Sequence, residues 1–276
     1  MKNILKHEYP NLKNADYKKA LSFIDGKYSQ YYFLDYMRCS NGNVDDAIKF
    51  AMFDDQLRAF LLKYLIRFEI QLKTDFVNSV YEKTRCTSFW EKKKYYLPDT
   101  RISHKKGKTS KYYLLKKKIK FDISKLHCNT IGPSHHVAMY ACTFGTFQEL
   151  FKCIDREYKN DFIKKYTQNF EGVGYKLLNT YFEVIRKIRN RCAHGAHLIT
   201  KKIFREFKNL NFGINEENKN SKIAIEKTFN FIFDNLYCGI ECKKELFKLI
   251  FKYNDLLVKY SKNHSIPVPF LKPIDD

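Results

Sequence analysis

Asp54 to Glu82 reads DDQLRAFLLKYLIRFEIQLKTDFVNSVYE. Leu57, Phe60, Leu61, Tyr64, Leu65, Phe68, Leu72, Phe76 and Val80 recur at steps of three and four, which is the period of one helix face. Arg58, Lys63, Arg67 and Lys73 fall mainly on the other side, where an amphipathic helix turns its charges to solvent. Asn43, Asp45 and Asp46 offer cap and first-turn chemistry, so the helix is expected to start just before the quoted stretch. The pattern leaves open a break near Phe53 and Asp54.

The same period governs the rest of the chain. It runs through Tyr175, Leu178, Tyr181, Phe182, Ile185, Ile188 and Cys192, with Gly172 and Gly174 before and Gly195 where a C-terminal cap belongs. It returns from Ile223 to Tyr237, stopping at Gly239, and again through Leu246, Leu249, Ile250, Tyr253, Leu256, Leu257 and Tyr260. Pro267, Pro269 and Pro273 end regular structure, and Asn209 to Asn220 reads as a polar loop. Alternating strand patterns are scarce, and Tyr31 to Phe33 is too short to count as one. The expectation is an all-α protein.

Charge narrows the class of partner. The 276 residues hold 51 Lys+Arg against 30 Asp+Glu, a formal charge of +21. An excess of that size repels itself and suits a polyanion. AT-rich codon usage explains why lysine outnumbers arginine, but not why acids fail to keep pace. The excess concentrates between Lys92 and Lys120, where eleven Lys and Arg101 face the single acid Asp99. We take Lys92, Lys93, Lys94, Lys105, Lys106, Lys108, Lys111, Lys116, Lys117, Lys118 and Lys120 as candidate RNA contacts, with Lys201 and Lys202 beyond the helix that ends at Gly195. Tyr95, Tyr96, Tyr112 and Tyr113 interleave with them; they read equally as stacking platforms or as the buried side of an insertion.

Met1 to Pro10 has no apolar core of a signal peptide, and no stretch approaches a membrane span, so no membrane partner is expected. Eight dispersed cysteines without a CxxC pair read as reduced, in a cytoplasmic protein. His127, Cys128, His135, His136 and Cys142 are metal-capable types, but their spacing matches no zinc pattern, and neither metal nor cofactor is expected.

Chemistry concentrates in Ile188-Arg189-Asn190-Arg191-Cys192-Ala193-His194-Gly195. Cutting RNA without a metal takes a base for the ribose 2′-OH, an acid for the leaving 5′-oxygen and positive charge at the phosphorane. Histidine as a residue type titrates near neutrality, so His194 fits either proton role, and Arg189 offers a planar fork to phosphate oxygens. Asn190, four residues before His194, shares its helix face and can orient the imidazole or hold the phosphate. Arg189 lies roughly 140° around from His194 on a regular helix. One histidine per chain falls short of an acid and a base together, which a two-fold homodimer would supply. The plain structural alternative is that Arg189 and His194 merely interact with the macrodipole of a helix C-terminus.

This helix resembles the R-N-x-x-x-H signature of HEPN ribonucleases, and the chain as a whole resembles the Abi-like (AbiD/AbiF) family of bacterial abortive-infection proteins. Phe53-Asp54-Asp55-Gln56-Leu57-Arg58 is similar to that family's F-D-x-x-L-R, and Phe68-Glu69-Ile70-Gln71-Leu72-Lys73-Thr74 to its I-E-I-x-L-[RK]-T. Thr143-Phe144-Gly145-Thr146 resembles its T-F-G-x turn, and Arg189 to His194 its R-N-x-C-A-H. The blocks keep the family's order over roughly residues 20 to 200. Where the family often has P-x-W-x-x-x-E, this chain has Pro133 to Met139, and Gly195-Ala196-His197 follows the motif where a basic or aromatic residue is common.

The resemblance implies a HEPN-type bundle from 45–83 and 141–262, with a helical extension at 1–40, a basic insertion at 84–140 and a tail at 263–276. It implies a toxin-like, metal-independent endoribonuclease, a homodimer with a composite site, leaving 2′,3′-cyclic phosphate and 5′-hydroxyl ends. It further implies control by a small structured non-coding RNA, and kinship with the HEPN halves of type VI CRISPR effectors. Glu69 and His197 are possible supports of the Arg189, Asn190 and His194 site, while Asp54 and Arg58 suit an ion pair that organises the bundle or dimer. Two other readings fit the charge: a non-cleaving RNA-binding subunit, and a DNA-binding regulator, for which no recognition helix is evident.

Overall fold

A computed structural model describes residues 4–101, 109–126, 134–167, 174–199 and 221–263. Among them the chain is all-α, with thirteen helices and no strand. They are α1 (Ile4–Glu8), α2 (Asn14–Ile24), α3 (Gln30–Cys39), α4 (Val44–Thr84), α5 (Pro98–Arg101), α6 (Lys111–Ser124) and α7 (His135–Ala141). Then follow α8 (Phe144–Cys153), α9 (Arg156–Thr167), α10 (Gly174–Ala193), α11 (Ser221–Asn235), α12 (Gly239–Lys252) and α13 (Asn254–Lys259).

The quoted stretch is the post around which the rest is built. Helix α4 runs unbroken for 41 residues, so no break falls at Phe53 and Asp54. At about 1.5 Å per residue that is about 60 Å. Asn43 caps it as expected, its Oδ1 accepting the Asp46 N–H at 3.0 Å. Its apolar face is buried from Leu57 to Val80, and α3, α7, α9 and α10 pack on it. Phe76 meets Phe89, Phe147, Phe151 and Phe162 edge-on, a geometry aromatic rings prefer.

Two charges expected outside lie inside. Lys73 is 6% exposed, and the Arg58 side chain 12%. Each is drawn in by acceptors distant in sequence, described below. The solvent strip of α4 instead carries Lys63 and Arg67 together with Ile66 and Ile70.

The flanking segments share one core with the post. Leu5, Ala20, Phe33 and Met37 from the amino-terminal helices belong to the same buried cluster as Phe89, Trp90, Tyr96 and Ile119. An antiparallel bridge between Tyr96 and Ile154 ties the basic segment to the α8–α9 junction. There the Leu97 N–H donates to the Cys153 carbonyl at 2.8 Å, and the Asp155 N–H to that of Tyr95 at 2.9 Å. Tyr31 to Phe33 is helical, within α3. The last apolar pattern is two helices, α12 and α13, parted at Tyr253. Gly239 opens α12 because a Cβ there would stand 1.8 Å from the Phe233 carbonyl oxygen. The loop expected at 209–220 lies outside the described residues.

Among the described residues no helix is long and apolar enough to cross a membrane. The described cysteines are free thiols.

Candidate active site on the motif helix

Helix α10 buries Leu178, Tyr181, Phe182, Ile185, Ile188 and Cys192, the apolar series its sequence announced. The helix ends in a Schellman cap. Gly195 takes a positive φ of 66°, its N–H reaches the Cys192 carbonyl at 3.4 Å, and the Ala196 N–H reaches that of Arg191 at 2.9 Å. His194 is therefore the last residue before the reversal, and it is exposed. Cys192 faces the core, where burial pushes its thiol up to about 12, so it is no nucleophile near neutral pH.

The segment after the cap is clamped from α3 and α4. Asp54, fully buried, accepts the backbone N–H groups of Leu198 and Ile199 at 3.0 and 3.1 Å and the Tyr36 hydroxyl at 2.7 Å. Burial raises the Asp54 carboxyl's pKa, and the Tyr36 hydroxyl, Arg58 at 3.6 Å and the two backbone donors oppose that rise. Arg58 in turn donates to the Gly195 carbonyl at 2.7 Å and to the Tyr32 hydroxyl. The expected Asp54–Arg58 pair thus exists, and its use is to hold the end of α10.

His197 belongs to this clamp. It is 6% exposed, stacks on Tyr32 with ring centres 3.6 Å apart, and meets Tyr36 edge-on. One ring nitrogen lies 3.0 Å from the Tyr32 carbonyl and the other 3.4 Å from Asp35. Its own carbonyl accepts from Arg191 at 2.8 Å. It anchors the loop rather than facing solvent beside His194.

A second polar group gathers about one turn before the end of α10. Lys73 Nζ donates to Glu69 at 2.6 Å and to the Cys142 carbonyl, which precedes the T-F-G turn. The other Glu69 oxygen lies 3.6 Å from Arg189 Nε, close enough for charge attraction and too long for a hydrogen bond. Arg189 Nη1 leans toward Asn190 Oδ1 at 3.5 Å. The Thr143 hydroxyl caps α8 through the Thr146 N–H at 3.1 Å, and Gly145 lies under the stem of Arg186, whose Cδ would sit 3.8 Å from a Cβ there. The four sequence blocks, spread from residue 53 to residue 194, thus converge on α10.

Arg186 escaped the sequence reading. It lies four residues before Asn190 and eight before His194, so the three share a face within an arc of about 80°. The Nε atoms of Arg186 and Arg189 are buried and have no hydrogen-bond partner among the described residues. Arg189 borders a pocket of about 470 Å³ with Glu69, Lys73, His136 and Tyr140. Ile66, Ile70 and Tyr140 stand 41, 50 and 73% exposed around it. On a regular helix, Arg189 and His194 differ by about 7.5 Å along the axis as well as in direction. The chain brings Arg189, Asn190 and Glu69 together, and leaves His194 at the exposed end.

Of the basic residues, Lys92, Lys93, Lys94, Lys111, Lys117, Lys118 and Lys120 are exposed and Lys116 is half-buried. Tyr95, Tyr96 and Tyr112 are buried and only Tyr113 of the four faces water. Lys105, Lys106, Lys108, Lys201 and Lys202 lie outside the described residues, as do His127 and Cys128. His135 is stacked on Tyr81 and bonded to the Thr87 carbonyl, with burial lowering its pKa. Among the described residues no three His, Cys, Asp or Glu gather as a metal site would require.

The family model described as Abi-like protein matches residues 14–200, a span that contains all four blocks and both polar groups. No curated protein and no solved structure matches the chain.

Proposed function

The chain belongs to the Abi-like protein family, and from that premise we propose that it is a metal-independent endoribonuclease of the HEPN type acting in bacterial abortive infection. Family membership supports the defence role. The observation that carries cleavage is on α10, where the buried Arg186 and Arg189 Nε donors have no hydrogen-bond partner among the described residues, within the two turns that lead to His194. An anion such as an RNA phosphate would give these two donors the acceptors they lack.

In this mechanism the His194 imidazole takes the proton from a ribose 2′-OH, and that oxygen attacks the adjoining phosphorus. Arg189 holds the phosphorane oxygens, and Asn190 orients His194 or the phosphate. The bond to the 5′-oxygen breaks as a second imidazole returns a proton, leaving a 2′,3′-cyclic phosphate and a 5′-hydroxyl. Glu69, itself fixed by Lys73, sets the direction of Arg189. The second imidazole comes from another copy of the chain, docked over the exposed side chains of Ile66, Ile70 and Tyr140. An apolar patch is where two molecules of charge +21 meet at least electrostatic cost. The basic segment binds a small structured RNA that controls the enzyme.

The test is to purify the protein and its His194→Ala variant from cells and sequence the RNA each carries. The expected result is one small RNA held by both, with cyclic-phosphate-ended fragments only beside the wild type. Equal RNA content with no cut ends in either would leave a non-cleaving RNA-binding subunit. Absence of RNA, with tight duplex DNA binding, would leave a DNA-binding regulator.

A further inference from the structure

We propose that the outer face of α6 is a platform for an unpaired RNA strand, with Tyr113 and Phe121 stacking on bases and Lys117 between them holding a phosphate. The proposal rests on the RNA reading above and goes beyond it by naming the face and the kind of strand.

Helix α6 has two unlike sides. Tyr112, Leu115, Ile119 and Asp122 are buried against the bundle. Opposite them, Tyr113 and Leu114 are each 56% exposed and Phe121 is 61% exposed. Tyr113, Lys117 and Phe121 follow one another at steps of four, within an arc of about 80°. The rings stand about 12 Å apart along the axis, with the lysine midway. Lys125 Nζ lies 4.4 Å from the Phe121 ring centre and adds a cation there.

The charges on this face have one sign. The single acid of α6, Asp122, is turned inward, accepting the Thr146 hydroxyl at 2.9 Å and the Thr143 N–H at 3.4 Å, with Lys125 at 3.5 Å. Lys118 and Lys120 are paired with Glu149 and Glu91 at 3.2 and 3.3 Å. Lys117, at the centre of the face, has no ion-pair partner among the described residues. Tyr95, Tyr96 and Tyr112 are buried and take no part.

Lysines alone would suit any phosphate backbone. The two exposed rings discriminate, because a duplex hides its base faces and an A-form major groove is too narrow to admit side chains. An unpaired strand offers π-faces and phosphates together, and base–aromatic stacking is sequence-tolerant. At about 3.4 Å per stacked nucleotide, the distance between the rings spans three or four nucleotides.

The experiment measures binding of the full chain to an unstructured 2′-O-methyl RNA strand, to the matching RNA duplex and to anionic phospholipid vesicles. The methylated sugar has no 2′-OH to attack, so cleavage does not intervene. Tyr113→Ala/Phe121→Ala is expected to weaken single-strand binding about tenfold or more while duplex binding holds. Lys117→Gln is expected to weaken both and to flatten the salt dependence for the single strand by about 0.7 in log–log slope. Circular dichroism confirms that both variants are folded. Unchanged single-strand affinity in the double variant, or equal loss on duplex, overturns the platform and leaves the RNA reading standing. Binding to vesicles in preference to RNA, lost in the double variant, overturns it in favour of a lipid surface. A wild type that binds neither RNA form overturns the RNA reading itself.

Discussion

Two polar clusters hang on α10, and they differ in how completely they are bonded. At the helix end, Asp54, Arg58, Tyr32, Tyr36 and His197 close on one another and on the backbone of 195–199. About one turn earlier, Glu69, Lys73 and Arg189 make a chain whose last link is 3.6 Å long, and the buried Nε donors of Arg186 and Arg189 are unbonded among the described residues. A buried donor without an acceptor costs about 1–3 kcal/mol, so a fold keeps one where something else fills it. The closed cluster holds geometry; the open one is where we propose that a phosphate binds.

The sharpest way to separate them is to set substitutions of the motif residues against one in the closed cluster. His194→Ala and Arg189→Ala are expected to lower RNA cleavage by about 10²- to 10⁴-fold with the melting temperature nearly unchanged, since His194 is exposed and Arg189 is only loosely bonded. Asp54→Ala should do the reverse in kind. It strands two backbone donors and the Tyr36 hydroxyl beside Arg58, and chemical denaturation should show a loss of about 3 kcal/mol or more. An Asp54→Ala protein with full stability would dissolve the distinction between the clusters.

Lys159 extends the comparison to a closed site far from the motif. It is fully buried, its Nζ donating to the carbonyls of Phe151 and Ile154 and lying over the rings of Phe151 and Tyr175. Burial pushes its pKa down to about 7. Between there and the ordinary lysine range the unfolded chain binds the proton and the folded one does not, so stability rises with pH across that window. Denaturation at pH 7 and pH 9 should show that rise shrinking by about 1–2 kcal/mol in Lys159→Met. Equal pH dependence in the variant would mean the ammonium stays charged in the fold.

The smallest effect belongs to Arg186. If its open Nε takes a phosphate beside the one Arg189 holds, Arg186→Ala should raise the KM for RNA about tenfold and leave kcat nearly intact. A fall in kcat alone would instead make Arg186 a support for the motif helix.

Much of the fold was legible in local pattern. The Asn43 cap, the apolar face of α4 and the Gly195 reversal each follow from a few neighbouring residues. Arg58 and Lys73 were misplaced to the solvent side because charge is the strongest local signal of exposure. Their acceptors, the Gly195 and Cys142 carbonyls, are backbone atoms, which no side-chain pattern announces. Ile66 and Ile70 were hidden for the opposite reason, since an apolar residue in an apolar helix looks like core. The four tyrosines of the basic segment divide three to one only once α6 has a direction to face. At the site, the motif named Arg189, Asn190 and His194, but Arg186 carries no motif and is visible only as an unbonded donor on the same face.

The most direct test of the central claim is to incubate purified protein with RNA in EDTA and determine the chemistry of the new ends. The account predicts 2′,3′-cyclic phosphate and 5′-hydroxyl ends, produced by the wild type and absent with His194→Ala. Intact RNA with the wild type, or cut ends persisting in His194→Ala, would contradict it.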